Sequence, residues 1–369
     1  MKSTPAFFLL LAALHSMHAE EISPITISKG DKLAIAVSGL AAGDAKVLQN
    51  DLAMSGSFNI VPQASAAFVA NSVGTVVDRN GKTVLTKSYG GSGRARIHAF
   101  ADDIVETLTG NRGIANTKIA FVASKTGKKE IYTCDADGAG IVQLTHDGSI
   151  SVAPSLSPDG RRLVYTGYQS GYPDVYQIDL GSGARNRIIK FPGTNSGASF
   201  SPDGGRIAVT LSKDGNPELY VTGSGGSGAR RLTHTPGVES SPTWSPDGNE
   251  IIYSSDDRGG PQLFRISASG GSGRPISTGH NYCTEPNWSP DGKKVAFNTR
   301  GGGFQVTILD LAGGGVRSLG EGQDPHWGAD SRHLIFASGG ALILLDTQTS
   351  QRTTLVSGLG QISEPTWSR

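Results

Sequence analysis

Cysteine, charge of either sign and long apolar runs are all scarce in this chain. Two cysteines in 369 residues, Cys134 and Cys283, cannot build a disulfide framework or a zinc ribbon. The repeat described below puts them in distant parts of the fold, so two free thiols are expected. Charged residues are only 18%, and Lys plus Arg (33) nearly equals Asp plus Glu (32). No long-range field is available to capture nucleic acid or an anionic bilayer. Beyond the first twenty residues no stretch approaches the ~18 apolar residues of a membrane-spanning helix, so direct membrane insertion is not expected. G-x-S-x-G, H-E-x-x-H, P-loop and EF-hand patterns are missing as well, which removes the enzyme and cofactor classes that depend on them. Glycine, by contrast, is abundant: 51 residues without a G-X-Y period, about twice the usual ~7%. With 37% apolar residues a core can form, and the composition suits many short strands joined by tight turns.

The first residues have a different character. Lys2 precedes an apolar run from Ala6 to Leu14, followed by a short polar stretch to Ala19. A basic start, a short apolar core and a small exit residue form a secretory signal. Residues 1–19 are therefore expected to be removed, with cleavage near Ala19. Removal of Lys2 leaves 32 basic and 32 acidic residues, a neutral, soluble, exported protein.

An internal repeat decides the architecture. Ser-Pro-Asp-Gly begins at Ser157, Ser201, Ser245 and Ser289, 44 residues apart, and Gly-Ala-Asp-Ser at Gly328 is a degraded copy. A bulky apolar residue stands just before each: Leu156, Phe200, Trp244, Trp288 and Trp327, with Trp367 as a sixth. Runs of strand type follow each turn, and Ile119-Ala-Phe-Val is one more such run. Six second strands thus have only five first strands before them; Glu364-Pro-Thr-Trp-Ser supplies the sixth from the C-terminal end. A last strand completing the first unit closes a circular array. The expected fold is mainly β: a six-bladed β-propeller over 113–369, closed by a strand at 364–368. Residues 20–112 lack the period. Strands at Leu33–Val37 and Phe58–Val61, a helix at Asp44–Met54, an Asn-Gly hairpin between Val73–Asp78 and Thr83–Lys87, and a helix through Ile97–Leu108 read as a small α/β domain.

Most chemical patterns have plain readings. Gly223-Ser-Gly-Gly-Ser-Gly228 fits G-x-G-x-x-G but joins two strands, so it is a hairpin turn rather than a dinucleotide site. The Trp series shares its position with Leu156 and Phe200, so packing between blades is expected rather than an aromatic cage. The histidines of the mature chain have no short ligand spacing. One positional signal stands out. Glu285, Asp324 and Glu364 occupy one repeat position, each before a proline, in what read as the loops entering three adjacent first strands. First strands line a propeller channel, so three carboxylates would meet at one mouth. Such a ring suits a basic group or an oxygen-liganded cation such as Ca²⁺; equally, it suits a solvated rim that hydrogen-bonds strand-end amides. No other cofactor is expected.

The segments Arg96-Ile-His-Ala-Phe-Ala-Asp-Asp-Ile-Val, Leu108-Thr-Gly-Asn-Arg-Gly-Ile and Lys118-Ile-Ala-Phe-Val, with Asp51-Leu-Ala-Met-Ser-Gly-Ser-Phe, resemble the TolB family, periplasmic propellers of the Tol–Pal envelope system. The resemblance covers the mature chain. It implies a monomeric, periplasmic binding protein rather than an enzyme. The propeller mouth would bind a Pal-type lipoprotein of the outer membrane, and the N-terminal segment a TolA-type inner-membrane protein, in envelope integrity and cell division. The family's partner-contacting positions fall on Thr194, Gly197 and Ser240; Thr194 stands where the family has histidine. The alternatives are a propeller enzyme or carbohydrate-binding protein using channel carboxylates, and a paralogue with another partner.

Overall fold

A computed structural model of the chain describes residues 32–369; residues 1–31, and with them the expected signal at 1–19, lie outside it. The N-terminal unit comprises β1 (Leu33–Val37), α1 (Ala42–Met54), β2 (Phe58–Ile60), β3 (Phe68–Ser72), β4 (Thr75–Asp78), β5 (Thr83–Thr86) and α2 (Arg94–Thr109). Its five strands lie in the order β2-β1-β3-β4-β5, with β1 parallel to both neighbours and hairpins from β3 onward. The i, i+3, i+4 positions of α2 (Ile97, Phe100, Ala101, Ile104, Val105, Leu108) meet Leu48 and Leu52 of α1 and Ile35, Phe58 and Val76 of the sheet in one core. Gly110 ends α2 in the left-handed conformation, φ 70°, its N–H donating to Glu106 O. The strand β3 escapes the sequence reading. It has neighbours on both edges, and Val69 packs with Ala36 and Ala66 in a second small cluster. Its Phe-Val-Ala start therefore lacks the alternation of a half-buried strand.

The rest is a ring of six four-stranded sheets. Blades two to six begin with the strands Ser151–Leu156, Asn195–Phe200, Glu239–Trp244, Cys283–Trp288 and Gln323–Trp327. Blade one (Lys118–Ala123, Glu130–Asp135, Val142–Gln143) takes its innermost strand, Ile362–Trp367, from the C-terminal end. That strand pairs Trp367 with Ile119 and Ile362 with Ala123. It begins two residues before the expected 364.

The four full Ser-Pro-Asp-Gly turns repeat one hydrogen-bond pattern. In the first, Gly160 N–H donates to Ser157 O at 2.8 Å and the Ser157 hydroxyl to Asp159 Oδ1 at 2.6 Å; Ser201, Ser245 and Ser289 do the same. Trp244, Trp288, Trp327 and Trp367 are all buried. Arg162 lies over Phe200, Arg206 over Trp244 and Lys294 over Trp327, so blades two, three and five lay a cation on the next blade's aromatic. Blade four has Glu250 at that position; Arg265, ion-paired to it, covers Trp288 instead. Cys134 and Cys283 are buried free thiols in blades one and five, and burial pushes the Cys134 thiol up to about 12.

The N-terminal unit covers the turn end of the ring. Arg332 donates to Gly56 O (3.2 Å) and pairs with Asp346 (2.6 Å). Around His98, whose Nδ1 lies 2.7 Å from Asp51, Asp135 and Asp137 of blade one are ion-paired with Lys118 and Arg94. A cleft of about 670 Å³ lies between the two units beside Gly56 and Arg332.

Candidate functional site

The other end of the channel is open. Each of the six first strands carries a β-bulge at one repeat position, where the ladder register shifts. The bulged residues Ala153, Gly197, Ser241, Glu285, Asp324 and Glu364 all have φ between 49° and 61°. Only Gly197 enters that region freely; for the other five it costs about 1–2 kcal/mol each. The bulge explains one correction. The three carboxylates stand inside the first strands and not in the loops leading to them, because each strand starts before its carboxylate.

The bulge frees the backbone N–H of its left-handed residue, and in four blades a side chain of the preceding blade accepts it. Ala153 N–H donates to Glu364 Oε2 (2.5 Å), and Glu364 N–H to Asp324 Oδ2 (2.9 Å). Asp324 N–H donates to Asn298 Oδ1 (3.1 Å), and Gly197 N–H to Thr166 Oγ1 (3.3 Å). Two of the carboxylates are thus parts of a head-to-tail run of amide hydrogen bonds from Asn298 to Ala153. Glu364 also has Lys129 Nζ at 3.8 Å from Oε1. Glu285 takes a hydrogen bond from the Ser241 hydroxyl, and its side chain stands open to channel solvent while the ring encloses it.

Electrostatics follow from this arrangement. Burial within the ring, then the charge of Asp324, push Glu285 up to about 7. Burial also raises Asp324 and Glu364, against the pull of the amides they hold. Deeper in the channel, burial and the Arg369 charge hold His326 down at about 4, so its ring is neutral.

Gly197, Ser240, Glu285, Asp324 and Glu364 line a single cavity of about 520 Å³. Thr194 does not line it. It lies in the turn before its first strand, holding Ser212 through both backbone groups. Sequence reasoning missed Lys129, Asn298 and Thr166. The 44-residue register could have found them: Asn298 repeats the position of Thr166, Thr210 and Ser254, and Lys129 stands where later blades have Pro173, Pro217 and Pro261. Among the described residues, one group of three side chains has metal-ligand atoms within 4.8 Å of one another: His98, Asp135 and Asp137, at the turn end and not at the mouth. Burial pulls His98 down, but Asp135, 3.8 Å from its Nε2, the hydrogen bond with Asp51 and the charges of Asp51 and Asp137 outweigh it, raising it to about 9. An imidazolium beside Arg94 and Lys118 balances these carboxylates, so the cluster is an ion-pair clamp.

The family model for the TolB beta propeller domain matches residues 105–369. The chain belongs to the TolB propeller family. It is 44% identical over 119 residues to a protein TolB homolog of Chlorobaculum tepidum, 31% of this chain and 27% of that protein. It is 31% identical over 202 residues to the Tol-Pal system protein TolB of Pasteurella multocida, 52% of this chain and 46% of that one. The matches therefore span less than half the length of either relative. The crystal structure of TolB from Acinetobacter baumannii superposes with a TM-score of 0.80 over 92% of this chain and 97% of its own, at 24% identity. That likeness extends the shared fold to the N-terminal unit of the TolB-type chain. No helix among the described residues is long and apolar enough to cross a membrane.

Proposed function

We propose that this protein is a non-enzymatic adaptor of a Tol–Pal type system, exported to the periplasm after cleavage near Ala19. Its mouth binds a Pal-type lipoprotein, its N-terminal segment engages a TolA-type inner-membrane protein, and the link serves envelope integrity and division. Family membership, with relatives named as Tol-Pal system proteins, carries the reading. The geometry supports it: a cavity at the open end of the ring is lined by Gly197, Ser240 and Glu285, and Thr194 stands in the turn that leads into the strand of Gly197. Asp324 and Glu364 are engaged by backbone amides of the neighbouring strands, so they act as structural acceptors rather than as the acid and base of a glycosidase. Ca²⁺ at the mouth would screen Glu285 from its neighbours without changing the adaptor role.

Titration calorimetry of residues 20–369 against the soluble domain of the same organism's Pal-type lipoprotein tests this. Saturable 1:1 binding that weakens at least tenfold in Thr194→Arg or Ser240→Arg is expected. Absence of binding at high micromolar concentration would overturn the Pal assignment and point to a paralogue with another partner. Turnover of an oligosaccharide that Glu285→Gln abolishes would overturn the adaptor reading itself.

A further inference from the structure

Where blades two, three and four begin, the first residue of each first strand donates its backbone N–H to the carbonyl just before a buried acid of the preceding blade. Ser151 donates to Lys129 O, Asn195 to Pro173 O and Glu239 to Pro217 O; the acids that follow are Glu130, Asp174 and Glu218. At the second junction the partner side chain is neutral: Asn195 Nδ2 donates to Asp174 Oδ1 at 3.3 Å. At the third it is a second carboxyl, Glu239, and both Glu218 and Glu239 are 0% exposed.

Hydrogen-bond accounting shows what that pair requires. Glu218 Oε1 accepts from Arg231 Nη2 (2.6 Å) and Thr235 N–H (2.9 Å). Glu239 Oε1 accepts from the hydroxyls of Thr235 and Ser255, each at 2.7 Å. The Oε2 atom of each is buried without another partner, and the two carboxyls lie within hydrogen-bonding reach of each other. One cation, Arg231, faces the pair and balances one of two charges. A single proton between the two Oε2 atoms satisfies both and gives Glu239 the donor role that Asn195 plays one blade earlier.

We propose that Glu239 and Glu218 share one proton, and that this proton latches residues 232–238, the loop bordering the mouth beside Ser240. Thr235 contacts both carboxyls, and Asn216 holds the loop through Thr235 O (2.8 Å) and Gly237 O (2.5 Å). The other ionisable groups around the latch are known. Tyr253 feels the charges of both acids, and Asp256 accepts Val238 N–H; Asp257 adjoins that turn. Asp214 is tied to Lys213 and Tyr220, and His234 is exposed in the loop itself. None supplies a second cation to the buried pair. Burial and the neighbouring Glu218 push Glu239 up to about 7; burial works against Glu218, but Glu239, the nearby Thr233 hydroxyl and the hydrogen bonds from Arg231 and Thr235 hold it below the usual range. An opened loop returns Glu239 to the ordinary glutamate range, so opening costs most at low pH. It grows easier as pH rises from about 4.5 to about 7 and levels off above. The latch depends on the blade junction alone, whichever partner the mouth receives.

Hydrogen exchange over residues 232–240, corrected for intrinsic rates, tests the latch between pH 5 and 8. In the wild-type chain the opening equilibrium should rise by up to about tenfold per pH unit toward 7, then flatten. In Glu239→Gln it should be flat, and in the His234→Asn control the wild-type slope should persist. A flat wild-type profile, or an unchanged slope in Glu239→Gln, overturns the proposal. If that variant does not fold, Glu218→Gln replaces it: infrared difference spectra at pH 6 should show one fewer protonated carboxyl than wild type. Equal spectra would overturn the shared proton.

Discussion

At the turn end of the ring, carboxylates are neutralised where they stand. Asp159, Asp203 and Asp247 are held low first by their own turn's serine hydroxyl. Asp135, Asp137 and Asp346 face Lys118, Arg94 and Arg332. At the mouth the carboxylates Glu285, Asp324 and Glu364 are all raised, one lysine serves Glu364, and the bulged residues are left-handed in every blade. One scaffold thus has a charge-balanced end against which a second domain packs, and an open end with strained backbone and uncompensated acid. Strain and unbalanced charge persist only where the surrounding structure holds them, and that is the end at which the proposed adaptor role puts the partner.

The sharpest way to break the contrast is to remove apolar area from the turn end. Trp367 is buried against Gly328, and its indole N–H donates to Thr117 Oγ1 at 2.7 Å. Trp367→Ala should cost about 3–5 kcal/mol in denaturant unfolding, because it empties the seam where the C-terminal strand closes blade one. A loss under 1 kcal/mol would mean that the seam is not part of the cooperative unit.

Next in size is the clamp. His98→Ala leaves Asp51 without its imidazole partner and should cost about 3 kcal/mol at pH 6. The sign of its pH dependence follows from the raised His98. The contribution is complete below about 6.5 and fades as pH rises through about 9, while the lowered Asp135 adds stability that is lost as pH falls through the acid range. The wild-type chain should therefore lose melting temperature between pH 7 and 9, and the variant should lose much less. Parallel profiles would show that His98 is neutral in the fold.

How far the sequence carries depends on what each feature needs. The ring, its closing strand and the packing role of the Trp series follow from turn chemistry and a 44-residue register, both local. The alignment of Glu285, Asp324 and Glu364 was legible for the same reason. The bulge was not: Ala153, Ser241 and Glu285 have nothing in common as side chains, and their left-handed backbone goes with the register shift of the bulge. Nor was the pairing of Asp51 with His98, which lie 47 residues apart on two helices that only the domain core brings together. Glu239 reads as one more strand residue until Glu218 is seen opposite it.

The smallest expected effect lies at the mouth, in Glu285→Gln. Its carboxyl is open to channel solvent and hydrogen-bonded by Ser241, so the amide fits the same space. Because the folded protein raises Glu285 to about 7, the wild-type residue favours folding least once pH has passed from about 4.5 through that value. The substitution removes the dependence, so melting temperature above pH 7 should stay level or rise, and channel solvent around the exposed carboxyl keeps the gain small. A marked loss would show that Glu285, like Asp324 and Glu364, is held in the run of amide hydrogen bonds and is not free for a partner.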